Sequence, residues 1–117
     1  MGITYVDAEA VGPTGKREAT RLLVDSGATY SLLPEPVWRA IDLEPTREMS
    51  FSLADGTQVA RRISTCWLSL EQGEGHTPVI MGEPGDEGLL GVVTLEILGL
   101  VLNPFNRTLQ PLRAMLM

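Results

Sequence analysis

The amino-acid sequence predicts an all-β fold, a small β-barrel or sandwich with one or two short helices. Short segments with strand-like alternation recur along the chain, and turns rich in Gly, Pro and Asn separate them. Only two short stretches have helical spacing. The length of 117 residues suits a single domain over residues 1–117, and 44% hydrophobic with 21% charged residues is typical of a globular protein.

The first third of the chain predicts a hairpin, a short strand and a short helix. Ile3–Ala10 and Arg17–Val24 alternate in polarity on either side of a turn with two glycines and a proline. Tyr30–Leu33 is a strand candidate. Pro34–Ile41 begins with proline and spaces its apolar residues four apart, which predicts one or two helical turns.

The rest of the chain predicts a second hairpin, further strands and a second helix. The tip is placed at Asp55-Gly56, a dipeptide favoured in two-residue type I′ turns, and the second arm at Gln58–Leu70. The glycine-containing stretch EQGEG, residues 71–75, is predicted to break the strand, and His76–Met81 is predicted as the next one. After Leu90 the apolar spacing predicts a two-turn helix that stops at Gly99, followed by a strand, a turn and a final strand.

Charge and composition exclude several classes of function. A net charge of −6 offers no surface for a phosphate backbone or an anionic membrane, so neither nucleic acid nor membrane is expected as a partner. One cysteine, Cys66, and one histidine, His76, cannot build a structural zinc site, and we expect no metal or cofactor. The apolar run Gly88–Leu102 is shorter than a bilayer span. With no targeting signal at the start, a cytoplasmic location is expected.

The stretch LLVDSGATYSLLP places Asp25 between two apolar segments and ahead of a Ser-Gly turn. An Asp-x-Gly triplet is most often an ordinary surface turn. Here the apolar flanks predict that the turn is inserted into the core, where a carboxylate is costly to bury. Function is a frequent reason for such a placement.

These residues resemble the catalytic loop of retropepsin-like aspartic proteases: hydrophobic residues, Asp, Ser or Thr, Gly, then Ala or Ser. A flap-like hairpin in FSLADGTQVARRI, the hydrophobic-hydrophobic-Gly of residues 89–91 and a short helix with a closing strand follow in the family's order. The resemblance implies a small closed or partly open β-barrel of the retropepsin type. Thr29 and Val92 stand where viral relatives often carry a charged pair, which favours a cellular or prokaryotic branch.

The resemblance implies that Asp25 is catalytic and that a second copy of the chain supplies the other aspartate, because the motif occurs once. A homodimer that hydrolyses peptide or protein substrates is therefore expected. The two carboxylates would share a proton and activate a water. Three further groups are implied: the catalytic-loop support Ser26, Gly27, Ala28 and Thr29; the substrate-binding flap Ala54, Asp55, Gly56 and Thr57; and the barrel-closing segment Leu89, Leu90 and Gly91.

One alternative stays open, a retropepsin-like module that binds peptide or protein, or dimerises, without cutting. Other constellations in the sequence are weaker. Ser26 is not in a nucleophile elbow, and Cys66 is expected to be a packed thiol. The apolar tail Ala114–Met117 is expected to contribute to a subunit interface.

Overall fold

A computed structural model describes residues 3–112, which contain nine strands and two six-residue helices. The expectation for Ala114–Met117 falls outside these residues. The strands are β1 Tyr5–Val11, β2 Arg17–Val24, β3 Ser31–Leu33, β4 Arg47–Ser52, β5 Gln58–Leu70, β6 Gly73–Met81, β7 Leu89–Leu90, β8 Leu100–Asn103 and β9 Thr108–Pro111. The helices are α1 Glu35–Ala40 and α2 Val92–Ile97. Neither helix, nor any other described part of the chain, is a long apolar helix able to cross a membrane.

The main sheet closes into a ring. Its order is β1-β2-β7-β3-β6-β5-β4, and β1 also pairs with β5, so that six strands form the ring and β4 projects from it on β5. The pairs β2–β7 and β3–β6 are parallel, whereas the hairpin pairs are antiparallel. Within residues 3–112, β8 and β9 pair only with each other. The prediction of an all-β fold with two short helices is confirmed.

One face of the ring strands forms the core together with the two helices. Leu22, Leu33, Leu68 and Leu90 are completely buried there. In the long strand β5 the face that is buried changes at the middle of the strand. Burial alternates along both halves, but the adjacent residues Ile63 and Ser64 between them are both buried. The half of β5 after Ser64 packs into the core, and the half before Ile63 projects outward with β4.

Two details differ from the sequence prediction. The β4–β5 turn is not type I′, because in this turn only Gly56 has positive φ (89°), with its N–H bonded to Leu53 O and the Leu53 N–H to Thr57 O. This is the bulged hairpin that places a single glycine in the left-handed region.

Strand β6 also begins three residues earlier than predicted, at Gly73. Its register pairs Gly73 with Leu70 and leaves only Glu71 and Gln72 as the turn. Cβ atoms at Gly73 and Gly75 would touch Leu98, at 3.4 and 3.3 Å respectively. The glycines that suggested a break in the sequence instead let the end of α2 lie close against this strand.

Three buried hydroxyls link α2 to two strands beneath the Asp25 loop. Thr94 Oγ1 of α2 lies 2.5 Å from Ser31 Oγ of β3 and 2.7 Å from Thr77 Oγ1 of β6. Ser31 Oγ also accepts the N–H of Gly91 at 2.9 Å. All three side chains are at most 1% exposed. The network therefore fixes α2 against the sheet. Because these hydroxyls are buried from solvent, one that lost its partner would have no water molecule to bond with instead.

Replacing Thr94 by valine tests this network. Thr94→Val keeps the shape but removes the oxygen that Ser31 and Thr77 share, so we expect the free energy of unfolding to fall by about 1–3 kcal/mol. Urea denaturation followed by circular dichroism measures the change. Thr65→Val, at an exposed position of β5, is the control and should lie within about 0.5 kcal/mol of the parent. Equal stability of both variants would contradict a supporting role for the network.

Candidate active site

Asp25 stands directly after β2, at the start of a tight turn. Its Oδ1 accepts the N–H of Gly27 at 2.9 Å, and its carbonyl accepts the N–H of Ala28 at 3.1 Å. The Asp25 side chain is half-buried, whereas Ser26 and Gly27 are exposed. The expectation that the turn is inserted into the core is therefore wrong for a single chain, because the tip of the turn lies at the surface. Neighbouring backbone holds the turn there.

That neighbouring backbone is the segment from β7 into α2. Asp25 N–H donates to Leu90 O (3.0 Å), Val92 N–H to Ala28 O (2.8 Å), and Val93 N–H to Thr29 O (3.0 Å). Thr29 and Val92, the two positions at which the sequence lacks a charged pair, thus take part in the main-chain bonds between the Asp25 loop and this segment. We call this bonded region the junction. Because these bonds use backbone groups, they hold the loop without depending on a particular side chain.

Gly91 is the point of closest approach in this junction. A Cβ atom there would lie 2.6 Å from both the carbonyl carbon and the carbonyl oxygen of Tyr30, a separation that real Cβ atoms essentially never show. Gly91 is buried, with an extended backbone (φ −96°, ψ 175°) at the start of α2. Its missing side chain, and not an unusual φ, is what lets β7 lie against the loop.

The strand register places a row of apolar residues on the same face as Asp25. Leu23 pairs with Leu89, Leu89 with Leu32, and Leu32 with Ile80. Paired residues share a sheet face, and Asp25 follows Leu23 by two positions, so the five side chains lie on one face. All five are half-buried in the single chain. We call this surface the cleft face.

The β4–β5 hairpin continues the cleft face and bends toward the loop. Phe51 of β4 contacts the Tyr30 ring edge-on, with centroids 6.1 Å apart and planes at 82°. The register pairs Phe51 with Val59 and Met49 with Arg61, so these side chains share the face that meets Tyr30. The hairpin therefore lies along the edge of the cleft face at Tyr30.

The tip of this hairpin carries the predicted flap residues. All of them are exposed: Ala54, Asp55, Gly56 and Thr57. Hydrogen bonds from the Thr57 hydroxyl and from the Thr57 N–H, the latter 2.8 Å long, lower the pKa of Asp55. Asp55 therefore keeps its negative charge to lower pH than an ordinary aspartate does.

An apolar groove of about 410 Å³ lies beside the Asp25 loop. It runs from Ser26 along α2 to the β8–β9 hairpin and is lined by Ser26, Val92, Leu95, Glu96, Leu100, Val101, Leu102, Pro104 and Leu112. Four large apolar side chains in this part of the molecule are exposed: Ile97 (47%), Val101 (43%), Phe105 (95%) and Leu112 (53%).

Other chemically capable residues lie apart from this constellation. Burial raises the pKa of the Cys66 thiol to about 12, so Cys66 stays protonated and is a packed side chain. His76 packs edge-on against Trp67, with ring centroids 4.9 Å apart. Trp38 is buried and donates its indole N–H to Gly82 O. Among residues 3–112, no three His, Cys, Asp or Glu side chains are grouped as metal ligands.

Sequence reasoning identified the loop, the hairpin and residues 89–91, but it missed much of the cleft face. Leu23, Leu32, Ile80 and Arg61 were not named. For Leu23 a signal existed, because strand alternation from Asp25 points back to it. The remaining three depend on pairing between distant strands, which periodicity in one segment does not report.

Two solved viral structures share the fold. The solution structure of the simian foamy virus (mac) protease matches with a TM-score of 0.58 and 19% identity, covering 80% of this chain and 92% of that one. The crystal structure of the prototype foamy virus protease-reverse transcriptase (native) matches with a TM-score of 0.52 and 22% identity, covering 97% of this chain and 12% of that one. At these identities the likeness concerns the fold, and the predicted retropepsin type is confirmed.

Sequence comparison gives the family. No curated protein matches the chain significantly. The family model described as "gag-polyprotein putative aspartyl protease" matches residues 14–96, well over half of the chain, and this stretch includes the Asp25 loop, the β4–β5 hairpin and residues 89–91. The chain therefore belongs to the gag-polyprotein aspartyl protease family and has a retropepsin-like fold.

Proposed function

We propose that this protein is a homodimeric aspartic endopeptidase, in which residues 1–117 form one retropepsin-like domain. The observation that carries the proposal is the Asp25 loop: a carboxylate at the end of an anchored strand, on an open apolar face beneath a hairpin. An extended peptide with apolar side chains fits such a face, and the hairpin edge offers backbone groups for pairing. Membership of an aspartyl protease family supports the same chemistry.

The proposed reaction needs two aspartates and a water. Asp25 and its symmetry mate share one proton, because two carboxylates at close range do not both ionise. The ionised member takes a proton from the water as the water oxygen attacks the peptide carbonyl carbon, and the protonated member donates to the carbonyl oxygen. The tetrahedral intermediate then breaks its C–N bond while the nitrogen receives a proton, which leaves a free acid and a free amine.

The chain offers no second aspartate of this kind among residues 3–112. Asp7 is exposed on β1 and pairs in register with Arg21. Asp86 accepts the N–H of Glu83 at 2.9 Å and so closes a local turn. A second copy of the chain is therefore the proposed source of the other carboxylate.

The groove beside Ser26 is the proposed docking surface for that second copy. Ser26 belongs to both the Asp25 loop and the groove, so a partner seated there would lie next to the carboxylate. A two-stranded hairpin such as β8–β9 is marginally stable alone, and joining two of them edge to edge would give four strands. The exposed apolar side chains of this surface would be covered in the same contact.

Replacing the proposed catalytic carboxylate tests the activity. Asp25→Asn keeps an oxygen for the Gly27 N–H but cannot act as a base, so cleavage should fall at least about a thousandfold without loss of fold. A quenched-fluorescence peptide library assayed between about pH 3 and pH 7 measures it. Asp86→Asn is the control and should cleave at close to the parent rate. Peptide binding without cleavage by the parent dimer would instead support the non-catalytic alternative.

Charging the docking surface tests the dimer. Val101→Asp places a carboxylate in the apolar groove, so the assembly should shift to monomer in sedimentation experiments, and cleavage should be lost with it because the second Asp25 is removed. Thr65→Asp, on exposed β5 surface, should leave the dimer and its cleavage intact. A parent protein that cleaves peptides as a monomer would exclude the two-copy site.

A further inference from the structure

Arg61 differs from every other described basic residue in its burial. The other lysine and arginine side chains among residues 3–112 are exposed, whereas Arg61 is half-buried. The ion pairs of the described chain involve Lys16, Arg17 and Arg39, and none of them includes Arg61. Its guanidinium donates one described hydrogen bond, to the carbonyl of neighbouring Ala60 at 3.1 Å. A partly desolvated cation therefore has several N–H donors left for another partner.

The strand register places Arg61 on the cleft face. Arg61 lies two residues from Val59 and from Ile63, and it pairs across the hairpin with Met49. Ile63 pairs with Ile80, a member of the apolar row that continues across the sheet to Leu23, two residues before Asp25. The Arg61 side chain thus leaves β5 on the same face as Val59 and Ile63, the side of the hairpin that would face the proposed substrate.

Adjacent Arg62 has the opposite orientation. It is exposed, pairs with Glu48, and its guanidinium carbon lies 5.3 Å from the centre of the Trp38 ring. Its guanidinium therefore lies over an aromatic face within the chain, where a cation is favoured. The two consecutive arginines consequently differ in role, one in stacking within the chain and one available to a ligand.

We propose that Arg61 is a specificity-determining residue that binds an acidic side chain of the peptide substrate. This inference rests on the proposed function, since it names the substrate class of the same cleft: extended apolar peptides that carry one Glu or Asp. The carboxylate of the peptide Glu or Asp would accept hydrogen bonds from the planar Arg61 guanidinium. The methylene groups of that peptide side chain would contact the apolar residues around Arg61. In a chain of net charge −6, a local cation is needed to attract such a peptide.

Binding of matched peptides tests the proposal without requiring turnover. The probes are fluorescent apolar octapeptides in which a single Glu or Gln is moved through every position. Dissociation constants are measured on the Asp25→Asn protein at about pH 6, where glutamate is ionised. At one position we expect the Glu peptide to bind about tenfold tighter than its Gln partner, because a charge-assisted hydrogen bond replaces a neutral one.

Arg61→Gln in the same background should abolish the preference, measured as the ratio of the dissociation constants of the matched Gln and Glu peptides. Arg61→Lys should restore part of it, and Arg62→Gln, on the opposite face of the same strand, should preserve it fully. Equal binding of Glu and Gln peptides at every position would overturn the proposal, as would a preference that survives in Arg61→Gln. Because binding is the readout, an absence of cleavage by the parent protein would count against the proposed function and not against this inference.

Discussion

The structure depends on one junction, the main-chain hydrogen bonds between the Asp25 loop and the segment Leu90–Val93. Parallel pairing of β2 with β7 brings the two segments side by side, and Gly91 permits the approach because any Cβ would strike the Tyr30 carbonyl. Three bonds of 2.8–3.0 Å then fix the loop at Asp25, Ala28 and Thr29. Below them, the hydroxyls of Ser31, Thr94 and Thr77 hold α2 to the sheet. The position of the carboxylate is thereby set by backbone geometry, and most of the surrounding side chains serve packing.

The two faces of the ring strands differ in burial. One face carries fully buried aliphatic side chains such as Leu22 and Leu90, and the other carries half-buried ones such as Leu23 and Leu89. In β5 the change from core to projecting hairpin falls between Ile63 and Ser64, so a single strand belongs both to the packed ring and to the projecting hairpin. Because the hairpin grows directly out of the ring, its cleft side stays in register with the apolar row near Asp25.

Local sequence signals predicted the elements well, since alternation, turn residues and helix spacing act over a few neighbouring residues. The arms Arg17–Val24 and Gln58–Leu70 were predicted at their observed limits. One error is local, the type of the β4–β5 turn, and the other errors concern long-range packing. Gly73 and Gly75 suggested a break, yet they lie in a strand because Leu98 packs against them. The apolar flanks of Asp25 suggested a buried turn, but those flanks pack beneath and beside it and leave Ser26 and Gly27 exposed. The role proposed for Arg61 depends on which face of β5 carries it, and only the pairing register shows that face.

The exposure of the loop is itself informative about the proposed assembly. Acid–base catalysis by a carboxylate pair gains from a site that excludes bulk water, since electrostatic interactions are stronger there. In one chain the hairpin approaches Asp25 from the side of Tyr30, where Phe51 makes its contact, while the side of Ser26 opens into the apolar groove. A second copy placed on that groove would cover the open side and would bring its own Asp25 to the same place. In the proposed dimer, one docking event would therefore supply the second carboxylate and the dry surroundings together, and it would cover the Asp25 loop that is exposed in the single chain.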